Sequence, residues 1–248
     1  MIGSAAAILT ACGGGGDGAS SAQSGTPHGN VSAPPKPVKM QISAAGDSTM
    51  AGLEWVNGQY IVTDNTRKFL QADLQAQFGD GVTVVANSRS GATLKNMLEG
   101  SGFMQTYAQY LAADDSKIVI ENFSLNDENQ YSAADFRQYL VTFISLTQQA
   151  GKIPVLEEPN PGCNPATGKQ WPGPDGQPVF DPFVLMIDEV AQAYDVALVK
   201  QYRQLRDMPD LCSMLSDGGI HPNSALYAIK AQNEAVVLAP IIKKLAGN

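Results

Sequence analysis

The sequence predicts an α/β protein, a central parallel sheet with helices packed on both faces. Three observations lead there. From Val38 onward, short strand-like runs alternate with longer helix-like segments. Loops rich in Gly, Asn and Ser follow several of the strand-like runs, where sites form in such sheets. Hydrophobic residues make up 44% of the chain, enough to fill a core between layers.

The elements follow in order. Met40 to Ala45 reads as a short strand that ends in Gly46-Asp47-Ser48. Glu54 to Val62 reads as a hairpin turning at Asn57-Gly58, a pair suited to a type I′ turn. Thr66 to Phe78 is expected as a helix stopped by Gly79, and Val82 to Ala86 as a β-branched strand. Met104 to Ala112 reads as a helix and Lys117 to Phe123 as a strand. Ser132 to Ala150 is expected as a long helix, capped by Ser132 and closed by Gly151. Ile153 to Glu157 is the next strand, Asp181 to Tyr194 the next helix and Val196 to Val199 the last strand. Ala225 to Leu245 closes the chain as an amphipathic helix, its apolar run broken by Lys230, Gln232, Asn233, Glu234 and Lys243.

Charge and composition exclude some functions. The net charge is −8, and the 16 Lys and Arg residues are scattered rather than clustered. A phosphate-binding surface needs them together, so nucleic acid is not an expected partner. No apolar run is long enough to span a bilayer.

The N-terminal residues look different from the rest. Ile2 to Ala11 are small or apolar, and Leu9-Thr10-Ala11-Cys12 resembles a bacterial lipobox, in which Cys12 would be lipidated. The usual basic n-region does not precede it, so an apolar N-terminus of no special role stays open. Residues 13–38 are almost all Gly, Ser, Ala, Pro and polar types, a composition that cannot build a core. They read as a tether reaching roughly 25–30 Å as a random coil. The expected organisation is therefore a lipoprotein signal segment over 1–12, a tether over 13–38 and a folded domain over 39–248. The expected setting is the cell envelope or the exterior, with the membrane met through the lipid anchor.

The remaining cysteines, Cys163 and Cys212, are an even pair in Pro-containing, loop-like stretches, and a disulfide between them is expected. It would close a loop of 49 positions and stabilise by up to about 4 kcal/mol.

The chemistry-bearing residues lie at strand ends. Ser48 follows the first strand, Gly91 the second, within Asn87 to Thr93, and Asn126 the third, within Ser124-Leu125-Asn126-Asp127. The chain has two histidines, and His28 falls in the tether. The folded part therefore owns one imidazole, His221, which argues against a His-rich metal site. His221 sits in Asp217-Gly218-Gly219-Ile220-His221-Pro222-Asn223, with an acid four residues before it. A serine hydroxyl needs a base to take its proton and donors to hold the oxyanion. Ser48, His221 and Asp217 supply nucleophile, base and orienting acid. The Ser48 and Gly91 N–H groups and the Asn126 amide supply donors. Taken singly, Gly91 also reads as a turn, Asn126 as a loop cap and Ser48 as an N-cap. Their order, each at a strand end, is what argues for a site. No metal or cofactor is called for.

These four segments resemble the blocks of the SGNH (GDSL-type) hydrolases. Gly46-Asp47-Ser48-Thr49 is similar to the nucleophile block and Asn87 to Thr93 to the glycine block. Ser124-Leu125-Asn126-Asp127 is similar to the Gly-x-Asn-Asp block, and Asp217 to Asn223 to the Asp-x-x-His-Pro block. The resemblance runs from Met40 to the C-terminus. It implies a flavodoxin-like three-layer α/β/α sandwich, and an oxyanion hole of the Ser48 and Gly91 N–H groups with the Asn126 side chain. Two positions depart from the pattern. Ser124 stands where the family usually has Gly, and Asp217 is four residues before His221 rather than three, with Gly218-Gly219 as a one-residue insertion. Asp210 is a second, more distant candidate for the acid. The Gly-x-Ser-x-Gly elbow of the α/β-hydrolases is absent from the sequence.

The expectation is a serine esterase working through an acyl-enzyme on short-chain acyl or acetyl esters, of small molecules or of glycans. The rivals are an acyltransferase on the same fold and a non-catalytic binding lipoprotein. Trp55, Tyr60 and the stretch from Pro159 to Pro182, which holds Trp171, are candidates to line the cleft. The plainer reading has Trp55 pinning the hairpin and Trp171 packing its loop.

Overall fold

A computed structural model of the chain describes residues 38–172 and 180–247. Cys12, His28 and the rest of the expected signal segment and tether up to residue 37 lie outside the described residues, as do positions 173–179 of the Pro159–Pro182 stretch.

In chain order the strands are β1 (Met40–Gly46), β2 (Leu53–Val56), β3 (Gln59–Val62), β4 (Val82–Ser88), β5 (Ile118–Asn122), β6 (Ile153–Glu157), β7 (Cys163–Asn164), β8 (Lys169–Gln170) and β9 (Ala197–Val199). The helices are α1 (Asn65–Phe78), α2 (Leu94–Glu99), α3 (Tyr107–Ala113), α4 (Ala133–Gln149), α5 (Asp181–Ala193), α6 (Tyr202–Arg206) and α7 (Ser224–Leu245). Five strands form one sheet in the order β4-β1-β5-β6-β9, with every pair parallel. The chain runs outward from β1 to β4, then back across to β5. A sheet wound this way opens a crevice where its direction reverses, here beside the C-terminal end of β1.

Alternation along the strands feeds two cores. Met40, Ile42 and Ala44 of β1, with Ile118 and Ile120 of β5, face one side, where Leu70 and Leu74 of α1 and Leu238 and Ile242 of α7 cover them. Ala45, Val119 and Leu156 face the other side, under Leu94 of α2, Phe136, Leu140 and Phe143 of α4, and Ile187 of α5. The three layers of the expected fold are present. The strands are buried on both faces, which explains why β5 reads as a continuous apolar run, Ile118-Val119-Ile120.

Several expectations meet a different outcome. The helix expected from Met104 begins at Tyr107, because Thr106 and Gln109 form a reciprocal capping box that fixes its start. α2, α6 and the two-residue strands β7 and β8 were not expected. They are too short to show a period. On α7, Lys230 and Glu234 belong to the buried face rather than the solvent face. The Lys230 ammonium is 2.8 Å from Glu157 Oε1, with both side chains fully buried. Glu157 ends β6 beneath α7, so the charge that breaks the apolar pattern finds its counter-charge in the core. Burial and the nearby Glu157 push the Glu234 carboxyl well above the ordinary range.

Asn57 and Gly58, at φ 51° and 85°, form the left-handed turn expected between β2 and β3. Cys163 and Cys212 are disulfide-bonded, their Cα atoms 5.7 Å apart.

Candidate active site

Gly46 ends β1 with no room for a side chain. A Cβ there would come within 2.4 Å of the Met50 Cβ and 2.7 Å of the Asn122 carbonyl oxygen. The chain then turns over Asp47 to Gly52, closed by the Ala51 N–H on Asp47 O (3.0 Å) and the Leu53 N–H on Ser48 O (2.9 Å). Asp47 is buried and accepts from the Thr49 N–H at 2.8 Å and the Thr49 hydroxyl at 2.9 Å. The Thr49 hydroxyl also lies 3.0 Å from Asn122 Oδ1. Burial pushes the Asp47 carboxyl up to about 6, against the pull of Thr49 and of Lys230 and His221. These contacts hold Ser48 at the mouth of the crevice, nearly buried, with its N–H donating to no acceptor among the described residues.

His221 arrives from the other end of the chain. Its Nε2 is 3.0 Å from Ser48 Oγ and its Nδ1 is 2.6 Å from Asp217 Oδ2. With the Nδ1 proton directed at the carboxylate, the free lone pair sits on Nε2 and faces the hydroxyl. Asp217 Oδ1 accepts from the N–H groups of Gly219 (2.8 Å), Ile220 (3.0 Å) and His221 (3.2 Å). Gly218 at φ 69° makes the tight turn that lets one oxygen meet three donors. The extra glycine is thus absorbed in a nest around the carboxylate. Burial works to raise the Asp217 carboxyl, but the His221 ring and these N–H groups outweigh it and hold it well below the usual carboxylate range. Asp210 lies elsewhere. It is exposed, and its carbonyl accepts from the Ser213 and Met214 N–H groups of the short 3-10 helix Leu211–Met214.

The third and fourth segments meet each other. Gly91 sits at φ 77°, a conformation that favours glycine although a Cβ would find open space, and its N–H has no acceptor among the described residues. Asn126 Nδ2 donates to the Ala92 carbonyl at 3.0 Å, and its second N–H is left over. Asp127 is fully buried and accepts from the Leu94 N–H at 3.0 Å and the Ser124 N–H at 3.2 Å. Burial dominates its titration and pushes it up to about 7, although both N–H groups pull it down. Ser124 lies at φ 103°, where a side chain is strained, and its buried hydroxyl finds no partner.

The aromatic candidates divide. Tyr60 of β3 reaches the site: its hydroxyl donates to Asp217 Oδ2 at 3.2 Å and its ring meets His221 edge-to-face at 5.3 Å. Trp55 packs on Tyr60 at 4.7 Å and stays partly exposed. Trp171 lies against Gly162 and walls a cavity of about 370 Å³ together with Leu125, Phe180 and Ile220, chain neighbours of Asn126 and His221 among them. Asn160, buried behind that wall, donates to the Ile220 carbonyl at 2.9 Å, a tie to the histidine loop that sequence reasoning missed. Among the described residues, no cluster of His, Cys, Asp and Glu is placed to hold a metal ion.

The family described as GDSL-like Lipase/Acylhydrolase matches residues 44–229. No curated protein matches the sequence. Several solved structures share the fold. The crystal structure of TesA superposes with a TM-score of 0.61 at 21% identity, covering 81% of this chain and 99% of that one. The lipase/acylhydrolase from Enterococcus faecalis gives 0.62 at 18% identity, over 84% and 96% of the two chains. The psychrotrophic esterase EstA from Pseudoalteromonas sp., in a structure inhibited by monoethylphosphonate, gives 0.58 at 16% identity, over 83% and 100%.

Proposed function

The chain belongs to the GDSL-like lipase/acylhydrolase family, a family of ester-hydrolysing serine enzymes, and on that premise we propose that Ser48, His221 and Asp217 are its nucleophile, base and acid. The observation that carries the reading is the continuous line from Asp217 Oδ2 to His221 Nδ1 (2.6 Å) and from His221 Nε2 to Ser48 Oγ (3.0 Å). Ser48 Oγ attacks the ester carbonyl carbon while His221 Nε2 takes its proton. The carbonyl oxygen becomes an oxyanion, held by the free N–H groups of Ser48 and Gly91 and the spare N–H of Asn126. His221 returns the proton to the leaving alcohol, and an acyl-enzyme remains. Water then attacks with His221 again as base, the acyl–Oγ bond breaks, His221 returns the proton to Ser48 Oγ, and the carboxylic acid is released. Asp217 fixes the tautomer and stabilises the imidazolium, and its low pKa keeps it anionic whenever His221 changes charge.

Short-chain acyl or acetyl esters are the proposed substrates, and the cavity of about 370 Å³ lined by Leu125 and Ile220, the chain neighbours of Asn126 and His221, is the proposed place for the acyl chain. The test is a panel of p-nitrophenyl esters of rising chain length and of acetylated glycans, run on wild type and Ser48→Ala. The expected result is a rate loss of several orders of magnitude in the variant, with activity falling as the chain outgrows the cavity. A variant that keeps most of its acetate-ester activity would remove Ser48 from this role. Adding an alcohol acceptor to the same assay separates hydrolysis from acyl transfer.

Export and anchoring through a lipidated Cys12 are also proposed, supported by the disulfide, which persists in oxidising compartments. Incorporation of labelled fatty acid that survives Cys12→Ser would end that part.

A further inference from the structure

We propose that Tyr60 is a positioning residue for His221 and Asp217, donated by the β2–β3 hairpin and acting on the strength of the base. This rests on the reading of Ser48, His221 and Asp217 given above.

The hairpin leaves the serine turn only five positions after Ser48 and closes on the histidine loop at several points. The Trp55 N–H donates to Ser216 Oγ at 2.9 Å, and the Ser216 hydroxyl donates to the His221 carbonyl at 3.0 Å. The Tyr227 hydroxyl of α7 donates to the Leu53 carbonyl at 2.9 Å. Tyr60 then makes two contacts with the pair itself, its ring against the imidazole and its hydroxyl on the carboxylate. Trp55 backs the Tyr60 ring, so the hydroxyl is aimed rather than free to rotate away.

The chemistry lies in which oxygen Tyr60 uses. Asp217 Oδ1 is already occupied by three backbone donors. Oδ2 accepts the hydrogen bond from His221 Nδ1, and Tyr60 donates to that same oxygen. A carboxylate oxygen that shares its charge between two donors holds each less strongly. Asp217 therefore holds the His221 Nδ1–H less strongly than a carboxylate left to His221 alone would, and Tyr60 has a part in setting the strength of the base. The other ionisable groups facing the pair are Asp47 on the serine turn, which feels His221, and Tyr227 on α7, which feels Asp217. None of them is altered by removing one hydroxyl from Tyr60. Asp217 in turn raises the tyrosine's own pKa after burial, so Tyr60 remains a donor throughout the working range.

Tyr60→Phe isolates the hydroxyl and keeps the ring. Tyr60 is half exposed, so the variant has no buried group to leave unpaired. Two readouts are taken on the full chain. The first is the NMR titration of the His221 imidazole in a His28→Gln background, where it is the only histidine signal. The second is the pH profile of kcat/KM on an acetate ester. The expected result is a rise of roughly half a pH unit in both the His221 midpoint and the acid limb, from loss of one hydrogen bond to a charged group. Tyr60→Ala, which also removes the ring, is expected to lower kcat roughly 2- to 10-fold further. A Tyr60→Phe titration that superposes on wild type would overturn the proposal and leave Tyr60 as a surface aromatic. His221→Ala, run in parallel, separates the two readings. Wild-type activity in that variant would overturn the assignment of the base, and the tyrosine proposal with it.

Discussion

The two sides of the candidate site are built by different means. The serine side is made by the sheet: Ser48 and Asn126 follow adjacent parallel strands, and their loops are held by main-chain bonds and buried side chains within a few residues of the strand ends. The histidine side has no strand beneath it. Its loop is held by the β7–β8 arm, through the Cys163 N–H on the Gly219 carbonyl at 2.7 Å, Asn160 on Ile220 and the disulfide to Cys212. The β2–β3 hairpin also holds it, through Trp55 on Ser216 and Tyr60 on Asp217. Ser48 is thus fixed by the core of the fold, and His221 by contacts between peripheral segments far apart in sequence. Damage to the first should show in chemistry, and damage to the second in stability and precision.

Three variants press on that contrast. Asn126→Ala, on the serine side, should lower kcat by about 10²–10³ and cost only about 1 kcal/mol of stability, for the lost bond to Ala92. A comparable loss of folding stability would mean that the Ala92 bond, not the donor, is its main use. Replacing both Cys163 and Cys212 by Ser should instead lower stability by about 2–4 kcal/mol in denaturant titration. Its activity loss should be modest and should lie in the histidine loop, so a fluorophosphonate would still label Ser48, more slowly. Loss of all labelling would show that the two sides are not separable. The smallest effect belongs to Ser124→Gly, which relieves a strained φ and a buried hydroxyl and should add about 1 kcal/mol to stability. Unchanged or lower stability in the same titration would show that the serine side chain makes up for its backbone.

The same contrast explains what was legible. The sheet strands and the three segments at their ends could be read from the sequence because both obey local rules, apolar runs followed by polar turns. The Cys163–Cys212 pairing could be read because only two candidates remained. The grip on the histidine loop could not. Tyr60 and Asp217 are 157 positions apart, and Asn160 and Ile220 are 60 apart, and no periodicity links them. Lys230 and Glu234 misled for a related reason: their place on α7 depends on Glu157, a charge on a strand that pattern reading treats as apolar. Ser124 was legible as a departure, but its consequence, a positive φ with a stranded hydroxyl, needed the backbone.

Asp127 ties the start of α2 to the loop after β5, and Asn126 ties the same loop to Ala92. Two loops that come from different strands are therefore riveted into one piece, to which Gly91 and Asn126 both belong. An oxygen held there, as the proposed reaction requires, would meet donors placed when the chain folds rather than gathered afresh at each encounter.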